Sequence, residues 1–562
     1  MPSSQPPLPL AVGSPRFADP ELARAEQAEG PLASWSRIVG LPEVEALRAA
    51  ASARGHFALA AGSGDRALLA VDRFATRSLC WRFDEGRLSW SARADELAPR
   101  RPRLDLQALY DYLYFHAIPS PRTVFEGVHR LPPGHLARAE AGRLDVKPFW
   151  TPRFDEKRSA SFAALRDEFR RLLADAVRRG LDGSKPACFL SGGTDSSTVA
   201  GMIGEVTGKP AATYSIGFDA QGYDEMEFAR IAARRFGCDH HEYYVTPDDL
   251  VRGIPAMAAH LDQPFGNSSA LPAYCCAARA REDGVTRLLA GDGGDELFGG
   301  NTRYAKQRVF DAYQALPAGL RSGLLEPMSR AGGGFDRLPL LRKGASYVRQ
   351  ASVAMPDRFQ SYNLLDRLGV NEVLTPAFLA RVDREDPLRQ QREVWQQSAG
   401  ASFVNRMLAF DWRYTLAEND LPKVRASAEL AGVSVAYPLL DQELVDFSTS
   451  LATSYKLKGL KLRWFFKEAL RGFLPDEIIT KKKHGFGLPF GVWAVSHAGL
   501  RELASDSLRG LAERGLVRRA FIDELLAHHL PAHPGYYGEM VWILMMLEQW
   551  LRAHAPDWRF EG

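Results

Sequence analysis

The sequence is poor in cysteine and nearly neutral overall. Five cysteines (Cys80, Cys188, Cys238, Cys275 and Cys276) are scattered through 562 residues, most of them in apolar segments. An odd, scattered set argues against a disulfide framework and fits buried thiols in a reducing compartment. Net charge is +3, from 71 Lys and Arg against 68 Asp and Glu, so no global field draws the chain to nucleic acid or to a membrane surface. No apolar run reaches the roughly 18 residues that a spanning helix needs. The start, Met1-Pro2-Ser3-Ser4-Gln5-Pro6-Pro7, lacks the basic stretch that opens a secretory signal. The expectation is a cytoplasmic protein. Repeats are absent, and low complexity is confined to the Pro-rich first ten residues. What remains is ordinary soluble material, 46% apolar and 25% charged, in a chain long enough for about two to four domains.

Against that background one segment stands out: Phe189-Leu190-Ser191-Gly192-Gly193-Thr194-Asp195-Ser196-Ser197. It joins an apolar strand, 187–190, to a helix expected from Ser197. Two glycines let the backbone approach an oxyanion closely, and the helix start adds N–H groups and its positive dipole end. Ser191, Ser196 and Ser197 supply hydroxyl donors, and Asp195 can hold Mg²⁺ against phosphate oxygens. The Gly-Lys-Ser/Thr ending of a Walker A loop is missing. The pattern Ser-Gly-Gly-x-Asp-Ser is similar to the PP-loop of ATP pyrophosphatases, which cleave ATP between its α and β phosphates.

Around this loop the chain divides into two parts, 1–155 and 156–562, with the polar stretch 152–159 as the boundary. In the first part, short alternating segments (56–60, 67–71, 79–83) separated by glycines predict antiparallel strands, and Leu104 to His116 predicts an amphipathic helix. In the second, helices (162–179, 197–206, 223–236, 270–282) alternate with strands (187–190, 211–216, 242–245, 287–290). That rhythm predicts an α/β fold with a doubly wound parallel sheet and ligands at the carboxyl ends of its strands. Residues beyond about 306 read as largely helical. The class is therefore α/β, with an α+β N-terminal part and a helical C-terminal portion.

Two further segments carry chemistry. Ala290-Gly291-Asp292-Gly293-Gly294-Asp295-Glu296-Leu297-Phe298-Gly299-Gly300 sets three acids among five glycines. Mg²⁺ takes one or two protein carboxylates beside phosphate and water, and Asp195 with Asp295 is the natural pair. Lys481-Lys482-Lys483-His484-Gly485-Phe486-Gly487 runs three lysines into an apolar loop, where a lysine can stabilise charge that develops on a reacting centre. His240 and His241 are adjacent on an expected strand, so they face opposite ways and do not form a joint metal site. The late aromatic run 536–550 has the spacing of a packing helix.

Taken together, the three loops resemble the synthetase domain of the asparagine synthetase family, whose relatives include β-lactam synthetase. The order of further segments agrees: Tyr214-Ser215-Ile216-Gly217-Phe218, Tyr223-Asp224-Glu225, His240-His241-Glu242, Leu261-Asp262-Gln263-Pro264-Phe265, Tyr437-Pro438-Leu439-Leu440-Asp441 and Leu474-Pro475-Asp476-Glu477-Ile478. The resemblance implies that Ser191, Gly192, Gly193, Asp195, Ser196 and Ser197 bind ATP and pyrophosphate, with Ser215 and Gly217 on the strand beside adenine. It implies Asp292 and Gly293 at the substrate or intermediate, Asp195 and Asp295 on Mg²⁺, and Lys483 at the intermediate. The implied reaction adenylates a carboxylate and then transfers the acyl group to nitrogen. ATP and Mg²⁺ are the expected cofactors. A small carboxylate and ammonia or an amine are the expected substrates, with no nucleic acid or membrane partner; a homodimer is compatible.

The sequence departs from that family in two places. Glutamine-dependent members begin Met-Cys-Gly, and that cysteine is the nucleophile that releases ammonia. Here Pro2 follows Met1 and the glutamine-holding motifs are absent. Only the later half of that domain is matched, by Leu69-Ala70-Val71-Asp72-Arg73-Phe74, Val124 to Val128 and Leu131-Pro132-Pro133-Gly134-His135. The expectation is a truncated glutaminase-type sandwich that does not hydrolyse glutamine. The second departure is Lys423-Val424-Arg425-Ala426-Ser427, where family members carry an acid at the position of Arg425. This points either to a carboxylate substrate other than free aspartate or to a rearranged salt bridge. Glu418 is a candidate base for an incoming amine. Two other readings stay open: glutamine use through a separate glutaminase subunit, and a non-catalytic binding partner. A tRNA-thiolating enzyme would need redox-active cysteines and a basic surface.

Overall fold

The expected parallel sheet forms from five short strands. In the computed structural model, which describes residues 8–63, 66–220, 222–314, 316–327, 339–481 and 487–561, the N-terminal part comes first. Strands β1 (Leu10–Gly13), β2 (Phe57–Ser63), β3 (Arg66–Val71), β4 (Cys80–Asp84), β5 (Arg87–Ser91), β6 (Val128–Arg130), β7 (His135–Glu140) and β8 (Arg143–Pro148) build two antiparallel sheets, ordered β1-β2-β3-β7-β8 and β5-β4-β6. Strand alternation decides what each face touches. Ala58, Ala60 and Leu69 turn toward Leu79, Leu88 and Trp90 of the second sheet. Leu59, Ala61, Leu68 and Ala70 turn the other way, onto Trp35 and Ile38. Those last two residues lie on helix α2 (Pro31–Val39), flanked by α1 (Pro20–Glu29) and α3 (Glu43–Ser52). The helices were not anticipated, although Asp19 before Pro20 is a legible start: its carboxylate accepts from the N–H groups of Glu21 and Leu22.

The expected helix after β5 is α4 (Leu106–Phe115), capped by the Asp105 carboxylate and closed by His116 in the left-handed conformation. Its buried face joins the large core around the C-terminal helix Pro534–His554, and the Tyr112 hydroxyl donates to the Ile543 carbonyl at 2.8 Å. The N-terminal part is tied to the rest by polar contacts as well. Within that part, Asp72 is buried and accepts from the N–H groups of Phe57 and Phe74, both at 2.9 Å, which fixes the turn that presents Arg73. Next to it, Arg73 reaches Asp446 at 2.6 Å.

In the second part, β9 (Ala187–Phe189), β10 (Ala212–Phe218), β11 (Asp239–Val245), β12 (Arg287–Leu289) and β13 (Ser434–Ala436) pair in parallel in the order β11-β10-β9-β12-β13. Helices α5 (Phe162–Gly180), α6 (Thr194–Thr207), α7 (Met226–Phe236), α8 (Pro247–His260) and α9 (Ala270–Glu282) connect or flank them. The inner strands are apolar and buried, as a sheet covered on two faces requires, whereas the edge strand β11 is polar and only partly buried. Two elements escaped the sequence reading: α8, which opens on a Thr246/Asp249 capping box with Pro247 at its first position, and β13, which arrives more than a hundred residues after its neighbour. The α6 helix begins three residues earlier than expected, because Gly193 serves as its N-cap. No described helix is long and apolar enough to cross a membrane.

Candidate active site

The strand order reverses between β9 and β12, and both glycine-rich loops leave the sheet there. An open parallel sheet has its natural ligand crevice at such a switch point, because adjacent connections depart to opposite faces. After β9, Ser191 to Gly193 turns into α6, whose first backbone N–H groups have no partner within the helix. Gly192 has φ +68, and a Cβ there would lie 2.4 Å from the backbone of Phe228 and Ala229, so only glycine fits this turn. The Ser191 and Ser196 hydroxyls are 3.1 Å apart, and the Ser191 N–H donates to Ser196 at 3.1 Å. Ser197 is fully buried, and its hydroxyl has no protein partner.

After β12, Gly293 starts the short helix α10 (Gly294–Phe298). The two loops touch: a Cβ on Gly294 would lie 2.0 Å from Asp195 Oδ1. Asp195 and Asp295 thereby converge, and they converge on a residue that the sequence reading missed. Arg463 is 4% exposed; its Nη1 donates to Asp195 Oδ2, Asp295 Oδ1 and Thr194 Oγ1 at 2.7, 2.7 and 2.8 Å, and its Nη2 donates to Asp195 Oδ1. The guanidinium also lies 4.1 Å over the Phe466 ring. Its pKa is raised despite burial, chiefly by the charges of Asp195 and Asp295. Two carboxylates that share one positive charge are a donor set Mg²⁺ accepts beside phosphate oxygens and water. The residues present therefore fit the ion.

Asp292 and Gly293 lie in the same loop. The Asp292 carboxyl is pushed up to about 6, mainly by burial and against the pull of Lys423. Lys423 donates to Asp420 at 2.8 Å, and Asp420 and Asp292 hold it protonated against burial. Ser215 and Gly217 are buried on β10; the Ser215 hydroxyl donates to the Leu190 carbonyl and so pins β10 to the end of β9. Glu418 stands apart from the loops. It is 4% exposed, receives Arg413 at 2.6 Å and Arg130 at 2.5 Å, and accepts from the Ser120 hydroxyl at 2.8 Å. The two arginines hold it ionised even though burial opposes this. A carboxylate so compensated is a weak proton acceptor.

Lys483 lies outside the described residues. Lys481, just before that segment, donates to Glu225 at 3.1 Å and sits 4.2 Å over the ring of Phe228, whose backbone closes on Gly192. Arg425 does not face the glycine loops; it pairs with Glu429 at 3.4 Å and lines a separate cavity with Asp262. His240 meets Thr213 Oγ1 at 2.9 Å while His241 stacks on Tyr214. Among the described residues, no three His, Cys, Asp or Glu side chains gather as metal ligands do.

Comparison with known proteins agrees with this geometry. Residues 168–552 match the asparagine synthase family, and residues 45–150 match a glutamine amidotransferase domain. Asparagine synthetase (glutamine-hydrolyzing) 1 of Bacillus subtilis is 23% identical over 449 residues, 80% of this chain and 68% of that protein. A putative asparagine synthetase (glutamine-hydrolyzing) of Mycobacterium tuberculosis is 26% identical over 463 residues, 81% of this chain and 68% of the relative. Amidase chyE of Penicillium rubens is 24% identical over 498 residues, 78% and 70% of the two chains.

Proposed function

This chain belongs to the asparagine synthase family, and on that premise we propose that it is an ATP-dependent, AMP-forming amide ligase that uses ammonia or a substrate amine. The observation that carries the reading is the convergence of Asp195 and Asp295 at the switch point of the sheet. The loop from Ser191 to Ser197 and the α6 N-terminus cradle the phosphates of ATP, and Asp195 with Asp295 would hold Mg²⁺, which supplies charge neutralisation at the departing pyrophosphate. A carboxylate oxygen attacks the α-phosphorus, and the α–β bridging oxygen leaves with pyrophosphate. The amine nitrogen then attacks the acyl carbon, and AMP leaves. Lys483, by family analogy, stabilises charge at this centre. Arg463 positions the two aspartates rather than touching substrate. Glu418, tied to two arginines, is assigned a scaffold role in preference to that of the amine's base. The division at about 155 into a glutaminase-like part and a synthetase part belongs to the same proposal.

Nitrogen from glutamine would need a nucleophile in the first part. Of the described residues there, the single cysteine is Cys80, which is fully buried with its thiol pushed up to about 12. Such a thiol is not a nucleophile. The match of residues 45–150 to an amidotransferase domain favours, as the second reading, ammonia delivered by a separate glutaminase subunit. Release of AMP and pyrophosphate from Mg-ATP with aspartate, compared between ammonium and glutamine, tests the first reading, and a co-purifying glutaminase subunit tests the second. AMP formed with ammonium and not with glutamine supports the proposal, and AMP formed with glutamine alone by the purified chain overturns it. Absence of AMP with both donors moves the test to other acids, with Lys483→Ala as control.

A further inference from the structure

The acidic loop rests on a segment that the first part of the chain grips from the other side. Strand β13 runs into the turn Pro438–Leu440 and then the helix Gln442–Ser450. Each of these pieces touches the loop. At the loop's start the Ala290 N–H donates to the Ala436 carbonyl at 2.9 Å. Leu440 packs on Gly293: a Cβ there would lie 2.3 Å from Leu440 Cδ2, so the leucine fills the place of the missing side chain. The Ser448 hydroxyl donates to the Leu297 carbonyl of α10 at 2.6 Å, and α10 carries Asp295. Where 434–450 sits therefore decides where Asp292 and Asp295 sit.

Contacts from the first part fall on the same segment. Arg77 is half-buried, and its Nη2 donates to the Val435 carbonyl at 2.8 Å. Strand β13 is the edge of the sheet, and its residues Ser434 and Ala436 bond toward β12 and the loop that follows it, which turns the Val435 carbonyl to the open side. Arg77 closes that side. Gln442 is buried, receives Arg54 at 3.4 Å and donates to the Ala53 carbonyl at 3.0 Å. The His56 ring stands edge-on to Tyr437, with centroids 5.8 Å apart. Asp72 sets the turn behind these contacts, since it accepts from the N–H of Thr76, next to Arg77. Arg77 and Asp292 also meet at one group: the Tyr437 hydroxyl, whose pKa burial raises, is pulled down by Arg77 and pushed up by Asp292.

We infer that the first part, whose buried Cys80 is no nucleophile for glutamine, supports the acidic loop of the synthetase part, and that Arg77 is the positioning residue of this support. Held at Val435, Tyr437 and Gln442, the segment presents Ala436 and Leu440 to the loop and keeps Asp292 and Asp295 in register with Asp195. That role rests on the ligase reading for what the aspartates do, whereas the contacts stand without turnover.

The test compares the full chain with Arg77→Met, Arg77→Lys and Lys147→Met, the last a control in the exposed pair with Glu43. Amide exchange of residues 290–298, followed by mass spectrometry without nucleotide, is expected to quicken severalfold in Arg77→Met and to keep the wild-type rate in Lys147→Met. The kcat for AMP release is expected to fall about tenfold in Arg77→Met, the scale of a reacting group displaced by less than about 1 Å. KM for ATP, which reads the Ser191 to Ser197 loop, should stay within about twofold of the wild type. Arg77→Lys, with one donor group in place of a fork, recovers part of both losses. Gln442→Leu loosens the segment at a second point, is expected to act in the same direction, and replaces Arg77→Met if that variant does not fold. Wild-type turnover in folded Arg77→Met and Gln442→Leu, at whatever melting temperature and with or without quicker exchange, overturns the inference. A rise in KM for ATP as large as the fall in kcat marks general loosening and overturns it as well. Quicker exchange in a chain that forms no AMP from any acid sinks the ligase reading alone.

Discussion

Removal of the Arg463 guanidinium tests the centre of the site. In Arg463→Met, Asp195 and Asp295 lose the charge they share, at side-chain exposures of 20% and 18%. Breaking a buried ion pair from one side costs about 3–5 kcal/mol, because the abandoned charge stays desolvated. Partial exposure of both acids places the expected loss near the lower bound, about 3 kcal/mol, or roughly a factor of 100 in the folding equilibrium. The variant also opens a site, since two neighbouring carboxylates that have lost the Arg463 charge attract a divalent cation. Urea denaturation of wild type and variant, each with and without MgCl₂, reads both effects. The wild type is expected to be insensitive to Mg²⁺ in the absence of nucleotide, whereas Arg463→Met recovers part of its loss as Mg²⁺ rises. Arg463→Lys, which keeps the charge and loses the fork, should fall between them. A loss under about 1 kcal/mol for Arg463→Met, the level of a surface pair, together with no response to Mg²⁺, would refute the claim that this residue holds the two aspartates together.

Three other outcomes follow from charges in and around the site. Asp292 keeps its proton in the folded protein up to about pH 6, while in the unfolded chain it ionises near 4; stability from this group is therefore full below pH 4 and is lost as pH rises through 6. The loss is of the order of 3 kcal/mol, and Asp292→Asn should flatten that limb of a stability–pH curve measured by denaturant titration. Lys456 is fully buried, donates to Asn405 at 2.8 Å and has its pKa lowered to about 7 by burial. The unfolded chain binds the extra proton between about pH 7 and 10.5, so stability should rise across that window by several kcal/mol, on the order of 5; Lys456→Met should remove the slope. Glu418→Gln leaves Arg130 and Arg413 without their counter-charge and should destabilise the protein by about 3 kcal/mol or more. A hundredfold fall in turnover with an unchanged melting transition would instead restore Glu418 as a base.

What the sequence made legible is what local chemistry determines. The strands and helices around the two glycine loops are short-range patterns of apolar period, and the turn residues and glycines of the loops report their backbone needs directly. Ser191 to Ser197 and Asp292 to Asp295 could therefore be singled out, and the alternation of strands and helices placed both loops at the carboxyl ends of a parallel sheet. Helix α8 was equally legible, since Thr246-Pro247-Asp248-Asp249 is a capping box with proline at the first position and its buried stripe, Leu250, Gly253, Ile254, Met257 and Ala258, keeps the helical period; the reading passed over it. Helices α1 and α3 were masked by alanine, which marks neither face strongly, whereas α2 carries Trp35, Ile38 and Val39 on one face and was passed over.

The rest depended on contacts that sequence spacing does not encode. Strand β13 is three residues long and joins β12 from across a long helical excursion. Nothing local distinguishes Ser434-Val435-Ala436 from a core turn, and the register with Arg287 to Leu289 exists only once the helices between them have folded. Arg463 is the sharper case. It precedes a short helix, Trp464–Ala469, with a left-handed backbone at φ 53, and reads in sequence as one more surface arginine among 71 basic residues. Its reach to Asp195 and Asp295 spans sequence separations of 268 and 168. The acids announced that a positive charge belonged between them, and Mg²⁺ was assigned to that place; the chain also provides its own. The fork of Arg463 keeps two carboxylates close together before any metal or nucleotide arrives, so a Mg²⁺-bound phosphate meets carboxylates already aligned. Mutual repulsion of Asp195 and Asp295, which would otherwise splay the two loops, is offset by the fold itself.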